Sequence, residues 1–515
     1  MRPTIRRRDL LRGVAAGGIA GVAGCLGGSG DSGDAFRLSV PFFPPSLDPI
    51  DLDGGWRLRE VGVLEGLFGV DGTGAVQPKL VSDWSRSDGD TRWEFTLRDD
   101  VTLHDGSALG ADAVVFSLER AFSTSGSRLS GLPIDAVEAD DDRTVAVTTR
   151  EPLASLPGQL TRPPAGIISP DSADGDGEIE SAIATGPFQV DSWQPDSRLT
   201  VTKHDGYHGT VPTLERAVLE RVQDPQTRTL KLQNDELALA TNLPNSEAST
   251  LQQESGLTLH RNEGPGTQIL VFNTDRQPLS DRRVRQAMLY AIDRNAIVDS
   301  VLEGIGSPAH APWDTDRIDW AADDLQTYEY DTDRAATLLS DAGWEQDGDV
   351  RRKDGQDLQL TLWTYNDRPT LSDVATVLQS QLGTVGFDIE VRVTEWGALD
   401  EAKQDGDFDV FAGFWTFYGS PPDPDTLTNF YHSEQNILDS PYQNAAVDEL
   451  LESGRTTFDE SERADIYDEV QEIVMTDVPV GFLTRQTKVN GTQSSVTGYD
   501  PNPITFDQGL EDISR

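Results

Sequence analysis

Side chains that commonly bind metals or form covalent bonds are scarce in this chain: six histidines and one cysteine in 515 residues. His204 and His208 stand four apart, a spacing that can put two metal ligands on one helix face. Asp205, Gly206 and Gly209 surround them, so the segment reads as a turn instead. His104 precedes Asp105-Gly106, and turn chemistry accounts for it. Asp171 to Glu180 is dense in acid but lacks the register of an EF-hand loop, and reads as a solvated loop. No G-x-S-x-G elbow, H-E-x-x-H pair or P-loop is present, which counts against a secreted hydrolase. A single cysteine excludes a disulfide scaffold and a thiolate cluster. Two stretches are unusual in their content of arginines, aromatics and acids. One is Tyr365-Asn-Asp-Arg368-Pro; the other runs from Trp415 through Tyr418 to Asp423 and Asp425, with His432 just beyond.

The elements that must position these stretches are legible from periodicity. Leu358 to Trp363 reads as a strand, Thr370 to Leu382 as a helix and Phe387 to Val393 as a strand. Glu395 to Gln404 can be helical, and Phe408 to Trp415 is a strand apolar enough to be buried on both faces. This βαβαβ pattern predicts a parallel sheet, with ligands beyond the carboxyl ends of its strands. The Thr364–Pro369 and Thr416–Asp425 loops leave from those ends. Elsewhere the pattern predicts strands at Thr91–Leu97, Arg143–Thr149 and Leu199–His204. It predicts helices at Gly110–Phe122, Ser280–Glu303 and Asp333–Ala342, the last stopped by Gly343. The fold class is α/β.

The N-terminus stands apart. Arg7 and Arg8 lie in an R-R-x-x-L pattern that reads as a twin-arginine export signal. An apolar run, Gly13 to Ala23, is shorter than the roughly 20 residues that span a bilayer. It ends in Val22-Ala-Gly-Cys25, which resembles a lipobox with Cys25 as the lipidated residue; the alternative is a plain signal peptide. Residues 1–24 are thus expected to be a signal peptide and 25–34 a flexible tether. The chain carries 42 basic and 88 acidic residues, a net charge of -46. Removing residues 1–24, with five arginines and one aspartate, takes this to -50. Such a chain does not bind nucleic acid by counterion release. An acidic surface with only six lysines suits molar salt, where screening shortens the Debye length to about 3 Å.

Several motifs share one resemblance. They include Trp93-Glu-Phe-Thr-Leu-Arg-Asp-Asp-Val-Thr-Leu-His104-Asp-Gly, Thr185-Gly-Pro-Phe-Gln-Val-Asp-Ser-Trp193 and Lys203-His-Asp-Gly-Tyr207. Phe272-Asn-Thr274, Asp281-Arg-Arg-Val-Arg-Gln-Ala287 and Asp333 to Trp344 continue the series. From Phe36 to Glu511 the chain resembles the extracellular solute-binding proteins of the peptide/nickel class, family 5 of ABC importers, of a haloarchaeal lipoprotein type. The resemblance implies a periplasmic-binding-protein-like fold of two α/β lobes around a cleft, with an extra domain. Lobe I is expected from residues 35–78, 184–270 and 491–515, the extra domain from 79–183, and lobe II from 271–490. It implies a binding receptor and no enzyme, anchored outside the cytoplasmic membrane, monomeric, with permease and ATPase subunits as partners. It implies no cofactor, and a peptide or a metal chelate as cargo.

Peptide-binding relatives carry an acid just after the strand that here ends Gly413-Phe-Trp415, and none follows directly in this chain. Tyr418-Gly-Ser-Pro-Pro-Asp423-Pro resembles the nickel-type loop. Thr161-Arg162-Pro163 resembles that branch's carboxylate clamp, with Arg128 and Arg368 as further clamps and His432 as a metal contact. The expected ligand contacts are therefore Arg128, Arg162, Tyr365, Arg368, Trp415, Tyr418, Asp423 and Asp425. A di- or oligopeptide binder is the alternative, ahead of a hydrolase or a passive surface protein.

Overall fold

The computed structural model describes residues 35–43, 46–417, 423–505 and 507–515. Arg7, Arg8, Cys25 and Tyr418 lie outside the described residues. One mixed sheet of eleven strands dominates. Its first three strands are Asp388–Thr394, Gln359–Tyr365 and Val410–Thr416, mutually parallel and in that spatial order. Helices Pro369–Gly383 and Trp396–Gln404 make the crossovers. This is the expected βαβαβ unit, and its helix buries Leu371, Val374, Leu378 and Leu382 as the spacing predicts.

Beyond Val410–Thr416 the sheet continues with two long antiparallel strands, Leu257–Phe272 and Val480–Gln493. They connect the parallel unit to Leu239–Ala240, Phe36–Val40, Arg216–Arg221, Arg198–Lys203 and Phe188–Gln194. The register of the long pair slips midway. Leu257 to Glu263 pair with Gln493 to Thr487, and pairing resumes at Thr267 opposite Arg485. Gly264, Pro265 and Gly266 thus stand opposite Gln486 alone, a bulge that bends and twists the strand.

A separate antiparallel sheet holds Val81–Ser87, Arg92–Leu97, Thr144–Thr149 and Ile134–Ala139. Trp93, Phe95 and Leu97 alternate inward from it, and helix Ala111–Ser123 adds Val114 and Leu118 to that core. Distinct apolar clusters lie under the rest. The largest joins Ile269–Phe272, the βαβαβ unit and helix Glu460–Asp477. Another joins Phe36, Leu38 and Val40 to Leu199, Leu219 and Ile513.

One predicted element is wrong. Ser280–Glu303 is two helices, Arg282–Tyr290 and Arg294–Ser300. Asp293 ends the continuous reading, because its side chain accepts the Ala296 N–H and caps a new helix. Arg294 then turns inward, 3 % exposed, with Nε donating to Phe482 O at 2.8 Å and Nη1 to Tyr328 O at 2.8 Å.

Candidate functional site

A cavity of 670 Å³ opens where the bulged strands cross. On one side stand Phe42, Trp56 and Arg57; on the other, Arg368, Phe414 and Thr416. Gly266, Gln486 and Lys488 line it between them. A Cβ on Gly266 would sit 2.1 Å from Phe414 Cζ, so only glycine lets the Phe414 ring pass over the bulge. The Arg368 guanidinium lies 4.2 Å from the centre of that ring, a cation–π contact that holds it at the cleft. No ion pair of Arg368 occurs among the described residues.

The wall opposite is a hydrogen-bonded chain. Asn490 Oδ1 accepts the Asn242 N–H at 3.0 Å, and its Nδ2 donates to Tyr499 Oη at 2.8 Å. Tyr499 Oη donates to Gln508 Oε1 at 2.9 Å, and Gln508 Nε2 donates to Glu60 Oε1 at 2.9 Å. Glu60 is also ion-paired with Arg57. Satisfied buried networks of this kind are rigid, so the wall is preformed. Lys488, half-buried, has its pKa pushed down to about 8 by burial; the Glu60 charge opposes the shift, and the Arg57 and Arg368 charges add to it.

A second cavity, of 260 Å³, shares Glu60 with the first and is lined by Arg162, Tyr207 and Glu65 among others. Arg162 Nη1 donates to Arg128 O and to Gln159 Oε1, both at 3.2 Å. Among the described residues it has no carboxylate partner. Burial, and then the neighbouring Arg128 charge, push its pKa down to about 10, so it stays cationic at neutral pH. Arg128 itself is exposed. The structure thus brings Arg162 and Arg128 together, and sets Arg368 on the larger cavity.

Residues 75–437 match the family model described as bacterial extracellular solute-binding proteins, family 5 Middle. The chain belongs to that family. It is 29 % identical over 475 residues to the dipeptide-binding protein of Escherichia coli (strain K12), covering 84 % of this chain and 85 % of the relative. Its fold matches NikA from Brucella suis in complex with Fe(III)-EDTA with a TM-score of 0.85 at 22 % identity, over 93 % of this chain and 99 % of the other. It also matches DppA from Helicobacter pylori in complex with the peptide STSA, with a TM-score of 0.74 at 23 % identity, over 93 % and 97 %. This family-5 protein is therefore an α/β solute-binding protein of the ABC-importer class and not an enzyme. Among the described residues no helix is long and apolar enough to cross a membrane.

Other expected contacts of this family-5 chain are placed away from the larger cavity. Asp423 is 7 % exposed and accepts both Nη atoms of buried Arg463, at 2.6 and 3.0 Å. Asp425 accepts from Ser155 Oγ at 3.2 Å, Thr428 Oγ1 at 2.8 Å and Arg455 Nε at 3.2 Å. Gly158 leaves room for this knot: a Cβ there would lie 3.0 Å from Asp423 Cβ. The two carboxylates therefore fasten the 423–463 region to the Ser155–Gln159 turn, and neither lines the cleft. Trp415 falls on the opposite strand face from Phe414 and packs against Phe411 and Trp396. Tyr365, 5 % exposed, meets the edge of Trp396 at 4.9 Å. His432 is buried, with Nδ1 accepting the Glu434 N–H at 3.1 Å and Nε2 3.5 Å from Glu452. No cluster of three metal-ligating side chains occurs among the described residues.

Sequence reasoning missed Phe42, Trp56, Arg57, Phe414 and Lys488. Lys488 carried a usable signal, as one of only six lysines in the chain. Gly264-Pro-Gly266 carried another, since that sequence interrupts a strand and marks a bulge.

Proposed function

We propose that this protein captures a carboxylate-bearing solute, a metal chelate or a short peptide, and delivers it to a permease and its ATPase subunits. The observation that carries the reading is the two-sided cavity crossed by the long strand pair, with Arg368 at one wall and Arg162 in the adjoining cavity. Arginine suits this work because its planar fork makes paired hydrogen bonds to a carboxylate. The bodies facing the cavity act as lobes I and II, with residues 79–183 as the extra domain, and hinge motion at the bulge closes them on solute. The E. coli relative's dipeptide and the B. suis neighbour's metal chelate both support this cargo class. A free-amine di- or oligopeptide is the rival cargo. We further place the chain outside the cytoplasmic membrane of a salt-adapted cell, as a monomer exported through Arg7 and Arg8 and anchored at Cys25.

Mass spectrometry and elemental analysis of whatever co-purifies with the native protein test the cargo. Binding should raise the melting temperature without turnover; at 100 times its dissociation constant a solute stabilises by about 2.7 kcal/mol. Arg162→Ala should weaken binding of that solute by more than about 1.5 kcal/mol, the low end for a charge-assisted hydrogen bond. Unchanged affinity by calorimetry removes Arg162 from the site. Cys25→Ser should release the folded protein into the medium; retention at the membrane refutes the anchor.

A further inference from the structure

The body built on the four-stranded sheet touches the rest of the molecule on two sides. On one side it is fastened to the N-terminal segment. Arg59 Nη1 donates to Thr161 O at 2.7 Å, the Ile167 N–H donates to Glu65 O at 2.8 Å, and Arg120 pairs with Asp48 at 2.8 Å. On the other side it meets the region that follows the parallel unit. The Ala154 N–H donates to Arg455 O at 2.8 Å, and Ser155 Oγ donates to Asp425 Oδ2 at 3.2 Å. Phe458 stands in the short link between helices Ala445–Thr456 and Glu460–Asp477. Its ring packs into the apolar cluster of the four-stranded sheet, 5.9 Å from the Trp93 ring and 3.7 Å from the Arg86 guanidinium. Arg86 and Trp93 are cross-strand partners on Val81–Ser87 and Arg92–Leu97, so the sheet itself builds the slot that holds Phe458.

These contacts complete a ring. The bulged strand pair joins the N-terminal side of the large sheet to the parallel unit, which is one connection. The four-stranded body is fastened to the N-terminal side and reaches the parallel side again at Phe458, which is a second. Hinge motion at the bulge cannot part the walls of the larger cavity while the second connection holds. We propose that Phe458, in its slot between Trp93 and Arg86, is a latch that sets the balance of open and closed forms, so that a contact outside the cavity tunes affinity for solute. The proposal rests on the receptor reading above, in which the walls close about the bulge. None of Arg86, Trp93, Ala154, Ser155, Asp425, Arg455 and Phe458 lines either cavity, so the latch acts alike on every solute. One ring, one main-chain bond and one hydroxyl–carboxylate bond are few enough to open reversibly. An apolar plug and a main-chain bond also hold in molar salt, which screens exposed ion pairs. A solute that requires the closed form binds with an apparent dissociation constant equal to the intrinsic one divided by the closed fraction. Loosening the latch therefore weakens binding without disturbing a single solute contact.

Amide hydrogen exchange and small-angle X-ray scattering on the full chain in molar KCl test the latch, and neither needs a solute. The Ala154 N–H exchanges when the second connection opens. Phe458→Ala should lower its protection about tenfold, and Phe458→Tyr, which keeps the ring, should hold it near that of wild type. Scattering should give Phe458→Ala a larger radius of gyration than wild type and Phe458→Tyr the wild-type one. Near-UV circular dichroism checks that the variants fold. If Phe458→Ala does not fold, Arg86→Gln, which takes the guanidinium off the ring, replaces it, with an expected loss of protection of about threefold. Unchanged protection at Ala154 overturns the latch. So does lost protection with unchanged scattering, because the two bodies then move together and Phe458 is ordinary packing between them. Both results leave the receptor reading standing. Opening as expected in a protein with which no solute co-purifies supports the latch and counts against the receptor reading alone.

Discussion

His104 shows how a turn histidine becomes a bolt between the four-stranded sheet and the segment that leads into Phe188–Gln194 of the large sheet. Its backbone N–H donates to Ala184 O at 2.9 Å, and its Nδ1 accepts the Ala184 N–H at 3.1 Å. Nε2 lies 3.1 Å from Gly186 O and donates to it. That arrangement favours a neutral ring, because a proton on Nδ1 would break the Ala184 N–H contact and keep only the longer one to Ala182 O, at 3.4 Å. Burial, with nearby His204 adding to the effect, lowers the pKa of His104 to about 4. An unfolded histidine titrates near pH 6.5, so the unfolded chain takes up this proton first. The stabilising contribution is complete above about pH 6.5 and is lost as pH falls toward 4. Its size is about 3 kcal/mol. His104→Gln keeps a donor and an acceptor but cannot titrate. Urea unfolding at fixed salt should show a shallower loss of stability between pH 6.5 and 4 in that variant, and an identical slope would refute the bolt. The same scale shows what sequence can and cannot read. Arg368 was legible because Arg-Pro follows a strand end in a parallel unit. Trp415 was misplaced by one residue: strand side chains alternate, and only the neighbours decide which parity faces the cleft, here Phe414. Asp423 and Asp425 were legible as functional-looking loop acids, but their partners Arg463 and Arg455 lie 30 or more residues downstream. No local pattern announces such a pairing.

At the scale of elements, the bulge couples fold to site. Gly266 is needed because Phe414 crosses it, and Phe414 in turn carries Arg368. Gly266→Ala should force the ring aside and cost about 1–3 kcal/mol, the usual range for overpacking. It should also weaken solute binding, because the Arg368 platform moves with the ring. Phe414→Leu removes the clashing edge, so the double variant should recover part of the loss, a coupling of about 1 kcal/mol or more. Strictly additive costs in urea titrations would place the strain somewhere other than Phe414. The parallel unit itself was legible nearly residue by residue, since its helix stripe and strand alternation are local signals. The split of Ser280–Glu303 was not. Tyr290-Ala-Ile-Asp-Arg294 keeps helical spacing, and only the burial of Arg294 against Phe482 O and Tyr328 O shows why the chain turns at Asp293. The long strand pair was missed for a related reason. Leu257–Glu263 is half-exposed, and its pairing partner lies more than 200 residues away.

At the scale of the whole molecule, charge decides the working conditions. Even if every one of the 42 basic residues neutralised one acid, 46 acids would remain unpaired. Salt acts on this chain in two opposed ways. It weakens the surface pairs, such as Arg352 with Asp347 and Asp357 or Lys203 with Glu215. Exposed pairs of this kind add little to stability, because solvent screens them. It also weakens repulsion among the surplus acids, and that term grows with every acid within a Debye length of another. The Debye length falls from about 8 Å at 0.15 M to about 3 Å at 1 M, so most of the relief should arrive below about 1 M. Repulsion outweighs the pairs because the surplus acids outnumber the bases available to pair. Unfolding by urea, which adds no ions, should therefore show stability rising by about 3 kcal/mol or more between 0.2 and 2 M KCl. Sucrose provides the control, since it strengthens burial by exclusion from the surface without screening charge. At matched osmolality it should give much less stabilisation than KCl. A flat response to KCl, or an equal response to sucrose, would mean that the acidic surface does not set the salt requirement.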